Sequence, residues 1–435
     1  MTTGRLTLIL AALSWVGCSD PTENPEAKDS EESPDEAVET KYEVEWFTAQ
    51  GTDSEEHVHE GIETTDGSFI AIGHGLNPDN TDDVLVIKVS PQGSLNWKKS
   101  FGISGFKGAG YCIIEVDDGY VLGGALYDST VERTQRFLAK LSLSGSLMWE
   151  RYLQSEGIGG IRGIDKTSDG NLVLTGYLNA LDLEENRGFI FISEESEGFV
   201  IKVDPEGNTI WEESLPVPQG TKVRQIDDGY AIISCSWQTS LAGVENQQFT
   251  LIKLDSNGNL VWEKHLGGPG NDHLYDFDVT VDGGFILGGH TLSYGVENWD
   301  YLLMRVDRDG NELWHKTFGQ PRGYNPQYIH DEAYGVRQTM DGGFIIVGGS
   351  GDEHAYSDNS HSAGPSDEWK VYLVKTDSDG KKLWDAVYPE ESVGNNAGEY
   401  MALTSDSGVI VFVDTDSQTP PAPNNFGFLK LSNSH

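Results

Sequence analysis

An Asp-Gly turn followed by Gly-x-x-x-Trp recurs six times along the chain, with a weaker seventh turn, which predicts an all-β fold: a seven-bladed β-propeller of four-stranded antiparallel blades. Two further observations support this. Gly-rich turns separate short apolar runs. A Trp-bearing segment without a blade at the N-terminus matches a blade without its Trp strand at the C-terminus.

The chain opens outside the predicted fold. Arg5 precedes an apolar run from Leu6 to Val16, too short to span a bilayer, and residues 1–18 read as a signal peptide. Residues 19–41 are acidic, carry prolines and have almost no apolar side chains, so burial cannot offset the entropy of ordering them. They read as a disordered tether, held extended by its own charge. The propeller is expected over residues 42–435.

One repeat shows how a blade forms. An apolar strand runs into Asp282-Gly283, where Gly takes the positive-φ position of a tight turn. Phe285 to Gly289 returns as the second strand, and Tyr301 to Val306 is the third. A second turn, Asp307-Arg308-Asp309-Gly310, leads to a fourth strand carrying Trp314. The whole unit occupies about 52 residues, the size of one blade. The turn recurs at Asp66, Asp118, Asp169, Asp228 and Asp341, with Asp406-Ser407-Gly408 as a weaker copy. The Trp recurs at Trp97, Trp149, Trp211, Trp262 and Trp384. The last repeat stops after its third strand, and Glu43-Val44-Glu45-Trp46-Phe47 supplies the missing fourth. That pairing closes the ring and removes two open sheet edges. The Asp-x-x-Gly segments are structural turns; a helix–loop–helix calcium loop needs ligands over a longer span ending in Glu.

Composition narrows the function. The formal net charge is −41, with 29 Lys and Arg against 70 Asp and Glu. No basic stripe is present, which excludes nucleic acid as a partner. Cys112 and Cys235 fall in blades two and four, which do not touch, so both read as small buried apolar residues. Gly-x-Ser-x-Gly, His-Glu-x-x-His and the phosphate loop are all missing from the sequence. No cofactor and no metal is expected.

The segment Trp15-Val16-Gly17-Cys18 resembles a bacterial lipobox, which implies lipidation of Cys18. The alternative is ordinary secretory cleavage with Cys18 incidental. From residue 42 onward the repeats resemble those of bacterial secreted β-propellers, and the Gly-x-x-x-Trp turn is similar to that of quinoprotein-type propellers. Quinone-dependent members have eight blades, calcium and acidic catalytic residues in the channel; this chain has seven repeats and no matching cofactor site. The resemblance implies the fold and a place in the cell envelope, with the lipid anchor as the only membrane contact. It does not imply an activity.

Both turn types lie on one face of the ring, and both are short. The other face carries the longer connections: 177–198, 235–248, 290–300, 350–370, 413–426 and the inter-blade segment 318–331. A ligand site is expected there, at the channel mouth. By register, His57 corresponds to His273, and His59 to Tyr275, with Tyr111 and Tyr334 at the same point in blades two and six. The pattern suits a polar pocket and equally suits rings that fill the channel. The connections around blades five and six add Tyr294, Trp299, Tyr324, Tyr328 and His330, then His354, Tyr356 and His361. Aromatic rings beside carboxylates and amides suit a sugar or a protein surface. The leading expectation is a monomeric, non-catalytic envelope lipoprotein binding a glycan or protein ligand. An envelope assembly scaffold is the second. A glycan hydrolase or lyase with carboxylates at the channel mouth is the third.

Overall fold

The computed structural model describes residues 41–433 apart from 52–53, 77–81, 104–105, 154–156, 181–195, 240–244, 353–367, 391–393 and 418–423. The described residues form 28 strands and no helix. They make seven four-stranded sheets, each antiparallel and each in simple sequence order but one. Blade five is representative: Asp272–Val279, Phe285–Thr291, Asp300–Val306 and Glu312–Phe318, from the channel outward. Its second strand is buried along its whole length, because neighbouring blades cover both faces. Its outer strand is half exposed. The core is therefore a ring of apolar layers between blades.

The turn face repeats one ion pair seven times, and in five blades a Thr two residues before the turn Asp also donates to it. Thr280 Oγ1 donates to Asp282 at 2.6 Å, and Gly283 takes φ +79°. The turn Asp then reaches a cation on the third strand of its own blade. The pairs are Asp66–Lys88 (2.8 Å), Asp118–Lys140 (2.6 Å), Asp169–Lys202 (2.6 Å) and Asp228–Lys253 (2.8 Å). Asp282–Arg305 (2.5 Å), Asp341–Lys375 (2.6 Å) and Asp406–Lys430 (2.9 Å) complete the ring. The cations are nearly buried while the carboxylates face water, so each pair anchors a turn over a blade end. Burial raises the Asp341 carboxyl, but hydrogen bonds from Lys375, Thr339 and the Gly343 amide hold it at about 2.

Each Trp covers the next blade's second turn. Trp46, Trp97, Trp149, Trp211, Trp262 and Trp314 lie against Gly93, Gly145, Gly207, Gly258, Gly310 and Gly380 in turn. Those glycines have φ between 75° and 87°. A Cβ on Gly258 would come within 2.8 Å of the Trp211 ring, so both conformation and space require Gly. Trp384 has no such turn to cover, because the outer strand of blade seven comes from the other end of the chain. Tyr42 takes its place, edge-on to Trp384 at 5.5 Å.

Closure follows the register of every other blade. Tyr42–Gln50 pairs antiparallel with Asn425–Asn433, and Trp46 stands opposite Lys430. Ser405 N donates to Glu63 at 2.7 Å across the closing junction, as Thr65 N does to Glu115 at 2.7 Å between blades one and two. Cys112 and Cys235 are buried and free.

Several expected loops are shorter than the sequence reading has them. Strands Gly229–Thr239 and Glu245–Asp255 absorb most of 235–248, so Cys235 and Gln248 are ladder residues. Tyr177 and His290 belong to second strands. His330 lies on an inner strand, Ile329–Gln338, rather than in the preceding loop. Cross-strand pairing simply continues past the point where the apolar pattern fades.

Candidate functional site

Six inner strands bulge at the same level of the channel. The extra residue lies between Val58 and Glu60, Gly110 and Cys112, and Ile161 and Gly163. It lies again between Leu274 and Asp276, Ala333 and Gly335, and Gly398 and Tyr400. The residues so displaced are His59, Tyr111, Arg162, Tyr275, Tyr334 and Glu399. Thr221 holds the level in blade four. A bulge re-aims a side chain, and here all seven line one cavity of about 20 Å³, room for a single water.

Charged groups lie further toward the turn face, and one pair crosses the channel. Lys222 of blade four pairs with Glu60 of blade one, and Arg337 pairs with Asp276. Arg337 also donates to Tyr400 Oη at 2.5 Å, and Lys222 lies 4.6 Å from the centre of that ring. Burial works against the Lys222 charge, but Glu60, Tyr400 and Asp276 reverse the effect and raise its pKa. This layer forms a floor beneath the cavity.

Two clusters rise from it toward the long-loop face. In blade one, His59 Nε2 lies 2.9 Å from His74 Nδ1, and the His57 ring stacks on His74 at 5.2 Å. His57 pairs with Asp414 of blade seven, whose charge raises the imidazole to about 9. Burial, then His74 and His57, push His59 well below its ordinary value. His57 is therefore charged near neutral pH and His59 is not.

The second cluster joins blades four, five and six. Burial lowers His273 to about 3 and His290 to about 4, so both rings are neutral. His273 Nε2 donates to Gln247 Oε1, which leaves Nδ1 to accept from His290 Nε2 at 3.1 Å. Trp299 packs on His273 at 4.5 Å and edge-on to His290 at 4.9 Å. Tyr275 meets His290 at 5.1 Å and Tyr334 at 4.6 Å. One continuous ring surface thus runs from Trp299 to the cavity wall. Asp331 N donates to the Trp299 carbonyl at 2.8 Å and fixes its backbone.

Two carboxyls at the mouth differ in state. Burial raises Glu332, but His330, His290 and Tyr334 more than offset it and hold the group at about 2. Tyr334 Oη donates to it at 2.6 Å. Burial and Asp414 push Glu399 well above the carboxylate range, and its Oε2 is buried without a hydrogen-bond partner.

The structure brings together His57 and His59 in one cluster, and His273, Tyr275, Trp299, Tyr334 and His330 in the other. Tyr294 is placed elsewhere: its ring lies on His315 of the outer strand at 3.9 Å. Tyr328 is half-buried in the turn that starts at Asn325. His354, Tyr356 and His361 lie outside the described residues. Sequence reasoning missed Arg162, Gln247, Glu332 and Glu399. Among the described residues, no three His, Cys, Asp or Glu side chains are placed to hold a metal ion.

No protein-family model matches this chain, and no curated protein matches it in sequence. Its fold is similar to that of the Pan2 WD40 domain of Neurospora crassa, with TM-score 0.54 and 12% identity over 91% of this chain and 96% of that one. It is also similar to puromycin hydrolase, with TM-score 0.50 and 10% identity over 83% of this chain and 50% of that one. A protein of unknown function from Dyadobacter fermentans matches with TM-score 0.46 and 11% identity, over 90% of this chain and 99% of that one. At such identities the likeness to the first two establishes a propeller fold and nothing about activity.

Proposed function

We propose that this chain is a non-catalytic binding propeller of the cell envelope, acylated at Cys18, which takes a glycan or protein ligand on its long-loop face. One observation carries the reading: the ring surface from Trp299 through His273, His290 and Tyr275 to Tyr334, opening onto the channel mouth above a charged floor. The half-buried Trp299 and His273 rings give a sugar an apolar platform, held in place by the buried His290 behind them. The same groups anchor protein interfaces. The lipobox-like segment and the acidic tether support placement at a membrane surface.

The test uses a glycan array and a pull-down from envelope extract, each with wild type and Trp299→Ala. Capture that Trp299→Ala reduces at least tenfold supports the reading. Capture that the substitution leaves intact moves the site elsewhere.

A second reading, glycan cleavage, is favoured by Glu399 and Glu332. Two carboxyls whose pKa values are pushed apart are the usual acid and base of glycoside chemistry. Release of reducing ends from an envelope polysaccharide, lost in Glu399→Gln, would place the chain in that class. No release by the wild type removes it.

A further inference from the structure

On the long-loop face, blade junctions follow one plan. A residue near the start of an inner strand meets a residue near the start of the third strand of the preceding blade. Between blades four and five these are Asp272 and Gln248, and a side chain on Gly267 would strike both. Between blades seven and one they are Glu56 and Asn425, around Gly51. Each sets one acid against a neutral amide. Between blades five and six they are Asp331 and Asp300, and a side chain on Gly319 would strike both carboxylates. Two carboxylates in one small space disfavour each other's charge.

The partners differ as well. Asp272 is satisfied at both oxygens: Thr291 Oγ1 donates to Oδ1, while Gly268 N (2.7 Å) and Ser293 Oγ (3.1 Å) donate to Oδ2. Asp331 receives Gln320 N at 2.8 Å and, more distantly, Gln320 Nε2 at 3.4 Å on Oδ2, but its Oδ1 is buried with no hydrogen-bond partner. Gln320 Oε1 is also buried and unpartnered. Ser350, fully buried opposite Asp331 in the ladder, lies close enough to favour the carboxylate but makes no well-formed hydrogen bond to it. The neighbouring cation, Arg322, is held by the Glu368 and Ser350 carbonyls at 3.0 Å each and lies over Tyr324. Burial raises Asp300 to about 6 and Asp331 to about 7, so the pair lacks full compensation for its charge.

We propose that Asp300 and Asp331 form a calcium site at the junction of blades five and six, with Gln320 Oε1 and Ser350 Oγ as neutral oxygen ligands. The donor set is all oxygen, which suits a hard cation. Calcium accepts irregular geometry and completes its shell with water or carbonyls, whereas magnesium demands a tighter octahedron. Only two carboxylates with two neutral oxygens give a low ligand charge, and hence the weak affinity of extracellular calcium modules, in the range of about 0.1–1 mM. The site also touches the ring surface, since Asp300 follows Trp299 and Asp331 N holds the Trp299 carbonyl.

The experiment is a thermal melt and a calorimetric calcium titration on the full chain, stripped with chelator beforehand. Wild type should gain roughly 2–4 °C at about 10 mM calcium, and less with magnesium. Asp300→Gln copies the Gln248–Asp272 pairing, so it should fold, melt no lower than wild type in chelator, and lose the calcium response. Asp331→Asn should lose it too. A wild type that shows neither heat nor a melting shift with calcium overturns the site. So does a calcium response that survives in Asp300→Gln.

Discussion

The turn face and the channel mouth use the same seven-fold scaffold in opposite ways. On the turn face every blade carries the same pair, a turn Asp on a nearly buried Lys or Arg. At the bulge level the seven residues are His59, Tyr111, Arg162, Thr221, Tyr275, Tyr334 and Glu399, drawn from five chemical types. Both positions are fixed by the repeat. Where the repeat keeps its chemistry, it holds the ring together. Where it keeps the geometry and varies the chemistry, it builds a surface with one arrangement of groups. That contrast is the reason to look for a ligand at the mouth rather than among the turns.

The largest test of the scaffold half is closure. Deleting residues 42–50 removes a strand, Trp46 and the Tyr42 cover of Trp384. It should cost more than about 5 kcal/mol, comparable to a domain's whole stability, and chemical denaturation should show an open or unfolded ring. A next step down is Gly258→Ala, which combines φ +87° with contact on Trp211. It should destabilise by about 2 kcal/mol, read from the shift in the urea midpoint. Asp282→Asn leaves Arg305 nearly buried beside a neutral partner, but the Asp282 side chain is 66% exposed, so screening limits the loss to about 1 kcal/mol.

The smallest effects concern pH and sharpen the difference between the two histidine clusters. His57 has a folded value of about 9 against an ordinary 6.5. Its contribution is complete below pH 6.5 and is lost as pH rises through 9. His57→Gln should flatten stability against pH in that window. His273 and His290 shift the other way, to about 3 and about 4. The unfolded chain binds their protons first, so stability falls as pH drops from 6.5 toward 3. Equal slopes in wild type and His273→Gln across that acid window would contradict the burial of this pair.

Much of this was legible in the sequence. The turn Asp and the spaced Trp gave the blade, and Trp46 gave the count of seven, because both are local signals. The bulge level was also written there: each bulge residue stands seven positions before its turn Asp, from His59 before Asp66 to Glu399 before Asp406. Only His59, Tyr111, Tyr275 and Tyr334 were recognised, since a ring repeated across blades is visible while Arg162 and Glu399 share no side chain with it. The turn cations were overlooked because Lys ordinarily reads as exposed. Gln247 and Glu332 reach the mouth only through blade packing, which carries no local pattern. Tyr294 was misplaced for the same reason, as its partner His315 lies on the outer strand.

The most direct measurement sets binding and stability side by side. Capture from the glycan array or envelope extract, and the melting temperature, are measured for wild type, Trp299→Ala and Asp282→Asn. Trp299→Ala should lose at least tenfold in capture with little change in melting, while Asp282→Asn should melt lower and bind as before. Binding that follows Asp282 and ignores Trp299 would contradict the division of labour between the two faces.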